Sequence, residues 1–161
     1  LSAMARELIT TWNDYQSALD RLLAIAGHAL CIYDEDLAHL KLETPDRQDE
    51  LKRILKHGKP DSLQIAVRDA TLLRQKSPLL LGLLETFSHC SLARKTPDSI
   101  AHLRDCMIIA DEKHALIRFE KDLPRGKLLI DEAEELRTYI NRFSEIWNEG
   151  GEPINSSTLG L

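Results

Sequence analysis

Glycine is scarce in this chain, with only seven residues among 161. The sequence has no Gly-rich phosphate loop, no P-loop and no GxSxG nucleophile elbow, so backbone amides have few places to cradle a nucleotide. Long apolar runs are also lacking, and none approaches the roughly 20 residues that cross a bilayer. The amino end is polar rather than basic and then apolar, unlike a signal peptide. We therefore expect a cytoplasmic protein with no membrane contact.

Cysteine and basic residues are too few or too dispersed to form recognisable sites. The three cysteines, Cys31, Cys90 and Cys106, lie in or beside apolar runs without a CxxC pair, which predicts buried, reduced thiols. The six histidines show no HExxH or other ligand spacing, so we expect neither a metal nor another cofactor. A net charge of −5 without a basic block argues against nucleic acid as a partner.

Length and patterning predict one domain over residues 1–149 and a C-terminal tail over residues 150–161. Apolar residues recur every three or four positions near the amino end, which predicts an amphipathic helix within residues 1–27 that Gly27 ends. The chain does not begin with Met, and the sequence leaves open whether it is a piece of a longer protein.

The remaining chain alternates strand and helix signals. Short apolar runs bounded by turn formers predict strands at residues 29–34, 63–69, 90–95, 106–110, 115–119 and 127–130. Helix starts follow residues 44 and 77, and Asp131 with Glu134 predicts a capping box for a last helix. This order predicts an α/β fold with a mixed β-sheet flanked by helices, in which helical connections make the early strands parallel.

Residues 102–119, HLRDCMIIADEKHALIRF, are the most informative segment. They resemble the hairpin that carries the HxK(x)4D motif in phospholipase D-like phosphodiesterases and nucleases. The order of elements is similar to a single lobe of that fold. In that family the His is the nucleophile, the Lys holds the phosphate and the Asp supports the site, so the resemblance implies a phospholipase D/nuclease-like lobe.

The motif itself does not line up with this hairpin. Read from His102, the Lys position falls on Arg104, but the Asp position falls on Ile109. Matching the two strands instead gives three other residues, Leu103, Asp105 and Ala110. Neither alignment supplies the complete trio, so the sequence predicts a degenerate active site.

The chain also resembles a bacterial family of uncharacterised domains with this fold, in which the domain can follow an acetyltransferase of the GNAT type. The shared features are YDEDL (33–37), TPDR (44–47), VRDATLL (67–73), FSH (87–89), RD (104–105), PRG (124–126) and TLGL (158–161). This resemblance implies the fold and a fused or neighbouring acetyltransferase domain, but no reaction. The chain lacks the pyrophosphate loop of such acetyltransferases, so it is not one itself.

Carboxylates and a histidine stand where strands and helices end. Asp34 and Asp69 each close a buried strand, and ligands gather outside the carboxyl ends of parallel strands. These two acids could hold a ligand or act as acid and base, or they could simply cap free amides or form salt bridges. His89 lies between a helix and a strand, where it could be a nucleophile or satisfy the last helix carbonyls.

Arginines fall on or beside the carboxy-terminal strands. If Arg94, Arg104 and Arg118 converge, they could grip a phosphate or carboxylate in bidentate fashion. Alternatively, Arg104 and Arg118 pair with Asp105 and Asp111 and lock the hairpin to its neighbours. The sequence leaves both arrangements open and favours the internal ion-pair network.

We interpret the chain as a non-catalytic ligand-binding, partner-binding or regulatory domain on a degenerate phospholipase D-like fold. The candidate ligand-binding residues are Asp34, Asp69, His89, Arg94, Arg104 and Arg118. The alternative is a phosphodiesterase or hydrolase with a rearranged site. Its catalytic candidates are His89, His102, Arg104 and Asp105. Since single lobes of this fold commonly pair, we also expect a homodimer.

Overall fold

The structure is a computed structural model that describes residues 4–155, which build one eight-stranded sheet with helices on both faces. The strands are β1 (Ala5–Ile9), β2 (Leu30–Asp34), β3 (Leu63–Val67), β4 (Ser91–Lys95), β5 (Cys106–Ala110), β6 (His114–Arg118), β7 (Gly126–Ile130) and β8 (Glu152–Ile154). The helices are α1 (Trp12–Ile25), α2 (Pro45–Leu55), α3 (Thr71–Lys76), α4 (Pro78–Thr86) and α5 (Ala133–Asn148). The predicted α/β class is confirmed.

The strand order across the sheet is β1-β7-β6-β5-β2-β3-β4-β8. The central strands β2, β3 and β4 run parallel, because helices connect them, as the sequence predicts. The remaining pairs are antiparallel, including the β5–β6 hairpin in which Cys106 lies opposite Arg118. The carboxyl ends of β2, β3 and β6 therefore share one edge of the sheet with the amino end of β5.

The two faces of the sheet bury separate apolar clusters. Helices α1 to α4 cover one face, and α5 covers the other. Because successive strand residues point to opposite faces, Ile32 belongs to the first cluster and its neighbour Tyr33 to the second. Within residues 4–155, α5 is the one α-helix on the second face, where Phe143 and Ile146 pack against the central strands. No helix within residues 4–155 has the length and apolarity to cross a membrane.

The predicted N-terminal helix is wrong at its start, because residues 5–9 form β1. This strand pairs antiparallel with β7, and α1 begins only at Trp12. The hydroxyl of Thr11 accepts a hydrogen bond from the amide of Asp14 at 3.1 Å, which fixes that start. The helical spacing of the apolar residues continues through residues 4–8, so the pattern could not reveal that pairing with β7 wins over local helix formation.

The predicted tail also contributes to the sheet. Residues 152–154 form β8, whose Ile154 lies opposite Ala93 of β4 and is 2% exposed. Gly151 permits this pairing because its φ is +140° and a Cβ there would lie 2.3 Å from the carbonyl oxygen of Lys95. A strand of three residues is too short to show a hydrophobic period, so sequence patterns do not predict it. The TLGL segment at 158–161 lies outside the described residues.

The last helix begins differently from the predicted capping box. Its N-cap is Glu132, which makes no side-chain cap hydrogen bond, and the backbone of Asp131 adopts a φ of +54°. The inner face of α5 is apolar, since Leu136, Phe143 and Ile146 are buried. The last helix is therefore present as predicted, but the conformation of its first turn follows from how the chain leaves β7.

Gly126 should tolerate no side chain. A Cβ at this position would lie 1.9 Å from the carbonyl oxygen of Ile117 on the neighbouring strand. We predict that Gly126→Ala lowers the free energy of unfolding by about 3 kcal/mol or more, because two backbones would have to separate. Urea unfolding of Gly126→Ala and of the control Gly82→Ala measures this effect.

The control should behave in the opposite way. Gly82 lies within α4, and nothing approaches a Cβ there within 4 Å. Alanine is the better helix former, so Gly82→Ala should raise the free energy of unfolding by up to about 1 kcal/mol. Equal effects of the two substitutions would contradict the strand pairing described here.

Candidate functional site

A polar cluster is buried at the sheet edge where β2, β3 and β6 end and β5 begins. We call it the edge cluster, and its members are Tyr15, Asp34, Glu35, Arg68, Cys106 and Arg118. Asp34 and Arg118 are the last residues of β2 and β6, whereas Cys106 is the first of β5. The antiparallel pairing of β5 with both neighbours brings these three side chains together.

Arg118 is the centre of the edge cluster and is almost inaccessible, with a side chain 1% exposed. Its guanidinium forms an ion pair with Asp34 at 3.0 Å and donates to the hydroxyl of Tyr15 at 2.9 Å. It also reaches the carbonyls of Glu120 and Lys121 and the thiol of Cys106. Every guanidinium nitrogen of Arg118 therefore has an acceptor within the protein.

Arg68 is satisfied in a similar way. Its side chain is 5% exposed, and Nε forms an ion pair with Glu35. The two terminal nitrogens donate to backbone carbonyls in the segment before β5, including that of Leu103 at 2.7 Å, and contact the thiol of Cys106. Its guanidinium lies 4.8 Å from the ring centre of Tyr33, which adds a cation–π contact. Arg68 thus ties β3 to the start of β5.

The proton-bearing groups of the edge cluster are held in their neutral form. Burial, reinforced by Asp34 and opposed by Arg118 and Arg68, raises the pKa of the Cys106 thiol to about 12. Burial also raises the pKa of Tyr15, although Arg118 acts in the other direction. A thiol with so high a pKa carries almost no thiolate near neutral pH and is a poor nucleophile. The cluster is therefore arranged as an ion-pair and hydrogen-bond network around neutral donors.

Asp111 occupies the turn after β5, at the opposite sheet edge. Its carboxylate accepts hydrogen bonds from the amides of Gly27, His28 and Ala29 at 2.6, 2.9 and 2.9 Å. Burial alone would raise the pKa of this carboxyl, but the three amides and the nearby imidazole of His28 lower it below its ordinary value. Asp111 therefore fixes the backbone at the entry into β2. Its partners are these amides and not the arginine that the sequence suggests.

The structure brings only some of the predicted site residues together. Asp34 and Arg118 meet as a buried pair, so the predicted internal network exists with a different acidic partner for Arg118. Asp69 lies exposed at the same edge, where its carboxylate caps the amide of Thr71 at 2.9 Å, as the capping alternative predicts. That amide lowers the pKa of Asp69. Ligand binding by these side chains stays a prediction.

Other candidates lie apart from the edge cluster or beside it. His89 is exposed and precedes β4, at the opposite edge of the sheet. His102 is exposed before β5, and Arg104 is exposed there while its carbonyl accepts from Arg68. The Asp105 carboxylate accepts hydrogen bonds from Arg142 at 2.6 and 2.9 Å instead of pairing with Arg104.

Arg94 lies on the face of the sheet that α5 covers. Its guanidinium is 4.2 Å from the ring centre of Trp147 and donates to the carbonyl of that residue at 3.1 Å. This contact fastens the end of α5 to β4 and does not converge with the edge cluster. Among residues 4–155, no group of three His, Cys, Asp or Glu side chains gathers in a way that could hold a metal ion.

The structure suggests a third alignment of the motif, which sequence reasoning missed. Counting back from Asp111 by the spacing of HxK(x)4D places the Lys position at Cys106 and the His position at Arg104. Asp111 then stands as the supporting acid directly after β5, and Cys106 contacts the guanidiniums of both Arg68 and Arg118. The strand end at Ala110 was the available signal, because the acid immediately follows it.

The fold is similar to those of solved phospholipase D family members. Nuc from Salmonella typhimurium matches with a TM-score of 0.65 at 13% identity, over 96% of this chain and 100% of Nuc. NucT from Helicobacter pylori matches with a TM-score of 0.59 at 13% identity, over 95% of this chain and 99% of that one. The chain has a phospholipase D/nuclease-like fold, and at these identities the likeness concerns the fold alone.

TrmBL2, an archaeal chromatin protein that binds DNA, has the same fold over part of its length. The TM-score is 0.68 at 13% identity, and the match covers 92% of this chain but only 54% of TrmBL2. Residues 11–156 of the present chain match the family described as "Domain of unknown function (DUF7931)". The chain therefore belongs to that family. No curated protein matches it.

The buried pair of Arg118 and Asp34 should contribute strongly to stability once either partner is removed alone. We predict that Arg118→Met lowers the free energy of unfolding by about 3–5 kcal/mol, because Asp34 would stay buried without its counter-ion. The double substitution Arg118→Met/Asp34→Asn removes the buried charge and keeps an oxygen for the amide of Leu37, so it should recover a large part of that loss. Urea unfolding of the single and double variants measures the difference.

The exposed pair of Arg21 and Glu7 provides the matched control. Its atoms lie 2.7 Å apart, but the side chains are 53% and 46% exposed. Arg21→Met should change the free energy of unfolding by less than about 1 kcal/mol. A double variant at residues 34 and 118 as unstable as Arg118→Met would show that the buried carboxylate is not the cause.

Asp111 should make stability depend on acid pH. Its pKa is lower in the folded chain than in the unfolded one, so its contribution is present above the unfolded pKa of about 3.9 and is lost as pH falls through the folded value. At neutral pH, Asp111→Asn should cost about 1–3 kcal/mol. Asn tolerates the φ of +56° at this position, so the backbone is not perturbed. The free energy of unfolding, measured with urea at neutral pH and at about pH 3, shows the change.

Glu112→Gln is the control for this experiment. Glu112 shares the turn and a φ of +56°, but its side chain caps none of the three amides. The gap between wild type and Asp111→Asn should shrink in acid, whereas Glu112→Gln should leave the pH profile unchanged. An equal gap at both pH values would assign the effect of Asp111 to shape rather than charge.

Proposed function

We propose that this domain binds a ligand or partner without catalysing a reaction, and that the edge cluster serves as its internal support. The observation that carries this proposal is the saturation of both guanidiniums by protein acceptors. A phosphate entering the edge would have to displace Asp34 from Arg118 or Glu35 from Arg68. Displacing Asp34, whose side chain is 2% exposed, would leave a buried carboxylate without its counter-ion, which costs several kcal/mol.

The identity of the groups at the motif positions supports the same proposal. A phospho-histidine mechanism needs an imidazole beside a cation that is free to hold phosphate. In the alignment anchored at Asp111, the nucleophile position is Arg104 and the cation position is Cys106, whose thiol is neutral near physiological pH. A guanidinium and a protonated thiol cannot form the phosphoryl intermediate that an imidazole forms.

The proposed partner is one of the two kinds that the family resemblance implies. One is a second copy of the domain, since single phospholipase D-like lobes commonly pair. The other is a fused or neighbouring acetyltransferase of the GNAT type. Either role would use the rigid sheet as a platform. Light scattering of the purified domain separates a monomer from a dimer, and the full reading frame identifies a fused enzyme.

The proposal predicts negligible phosphodiesterase activity. Wild type, His89→Ala and His102→Ala should hydrolyse bis(p-nitrophenyl) phosphate at the same rate as buffer, because both imidazoles are exposed and neither belongs to the edge cluster. Release of p-nitrophenol measures the rate. Circular dichroism of each variant controls for folding.

A rate above background that one of these histidine variants abolishes would overturn the proposal and favour the phosphodiesterase alternative. The binding arm is a thermal-shift screen with phosphorylated metabolites and acyl-CoAs. Any compound that binds only the folded state raises the melting temperature, by an amount that grows with the logarithm of its concentration relative to Kd. A positive compound class supports ligand binding, whereas a flat screen restricts the role to protein contact.

A further inference from the structure

A groove opens on the face of the sheet that α5 covers, at the edge opposite the edge cluster. We call it the α5 groove. One part is a cavity of about 260 Å³ between α5 and the strands, and it adjoins a second of about 350 Å³ that reaches the loop before β3. Both parts share Cys31, Gln64, Ile109 and Glu112. These volumes are near the size of small-molecule sites.

The floor of the α5 groove is one row of residues across three strands. Gln64 of β3 lies directly opposite Cys31 of β2, and Cys31 lies directly opposite Ile109 of β5. The thiol of Cys31 donates to the side-chain oxygen of Gln64 at 3.4 Å. Ile140 and Trp147 of α5 form an apolar wall above this row. The inner part of the groove therefore suits an apolar or aromatic group.

The rim of the α5 groove is acidic. Asp61 and Glu112 line it and form no ion pair within residues 4–155, whereas the carboxylate of Asp111 is already bound to three amides. Lys59 and His28 lie on the outer part and reduce the negative charge there. Burial, followed by the charges of Glu112 and Asp61, raises the pKa of Cys31 to about 12, so the two carboxylates act on the groove interior.

The groove exists because α5 is the single α-helix of the described residues that covers this face. Helices α1 to α4 fill the opposite face, while α5 packs along the middle of the sheet and leaves the ends of β2 and β3 partly open. Cys31 is consequently half-buried, unlike Cys90 and Cys106, which are buried. The thiol of Cys31 therefore borders the open space of this groove.

We propose that the α5 groove binds a small amphipathic amine, with its apolar or aromatic body between Trp147 and the Cys31 row and its ammonium group at Glu112 and Asp61. An uncharged analogue would fill the same space but would leave the acidic rim without a counter-ion. An anionic analogue would meet two carboxylates. The inference deepens the proposed binding function by naming a place and a ligand class.

Three probes with the same body and different charge test this inference. They are 4-phenylbutylamine, 4-phenylbutanol and 4-phenylbutyrate, each titrated by calorimetry. The amine should bind at least about tenfold more tightly than the alcohol, because a charge-assisted hydrogen bond is stronger than a neutral one. The butyrate should not bind.

The variant Glu112→Gln should weaken amine binding by about tenfold and leave binding of the alcohol unchanged. Glu120→Gln is the matched control, because Glu120 is exposed after β6 at the opposite sheet edge. It should leave both affinities unchanged. Equal binding of the three probes, absence of amine binding, or an amine affinity insensitive to Glu112→Gln would each overturn the inference.

The outcome separates the groove from the proposed function. Loss of amine preference would remove this site and leave the non-catalytic role of the edge cluster untouched, because that role is tested by phosphodiester hydrolysis. Conversely, hydrolysis together with selective amine binding would overturn the non-catalytic role while retaining the groove.

Discussion

The buried ion pair between Arg118 and Asp34 is the contact on which the organisation of the sheet edge depends. It joins the ends of β6 and β2, and the same guanidinium reaches Tyr15 of α1 and the thiol of Cys106 at the start of β5. A charge taken out of water is tolerated only when it is paired and fully hydrogen-bonded. The elements around Arg118 are therefore held in positions where their polar groups can accept its hydrogen bonds.

A second guanidinium extends this constraint to β3. Arg68 binds Glu35 and the carbonyls preceding β5. Its hydrogen bonds therefore hold the backbone of the loop that carries Arg104 and Asp105 in place. The phospholipase D-like scaffold keeps its shape while its sheet edge is filled by arginine, tyrosine and cysteine side chains. The α5 groove lies at the opposite ends of these strands, beneath α5. The internal support and the proposed binding groove are thus at opposite ends of the sheet.

The hydrophobic period and the turn formers were enough to predict the central strands and the α/β class. They failed at β1, because residues 4–8 keep a helical spacing, and at β8, because three residues show no period. Candidate residues were found more easily than their partners. Asp34 and Arg118 were both singled out, but 84 positions separate them in the chain, and no local pattern reports such a contact.

The sequence alone determined which segments could be buried, and therefore the order of the strands and helices. The tertiary structure decided which charges meet, because strand pairing brings the ends of β2, β5 and β6 to one edge. It also decided that β1 and β8, the outermost strands of the sheet, form, since their hydrogen-bond partners lie far away in the chain. Local patterns reflect burial and backbone preference, whereas charge pairing and strand addition depend on distances that only the folded chain sets.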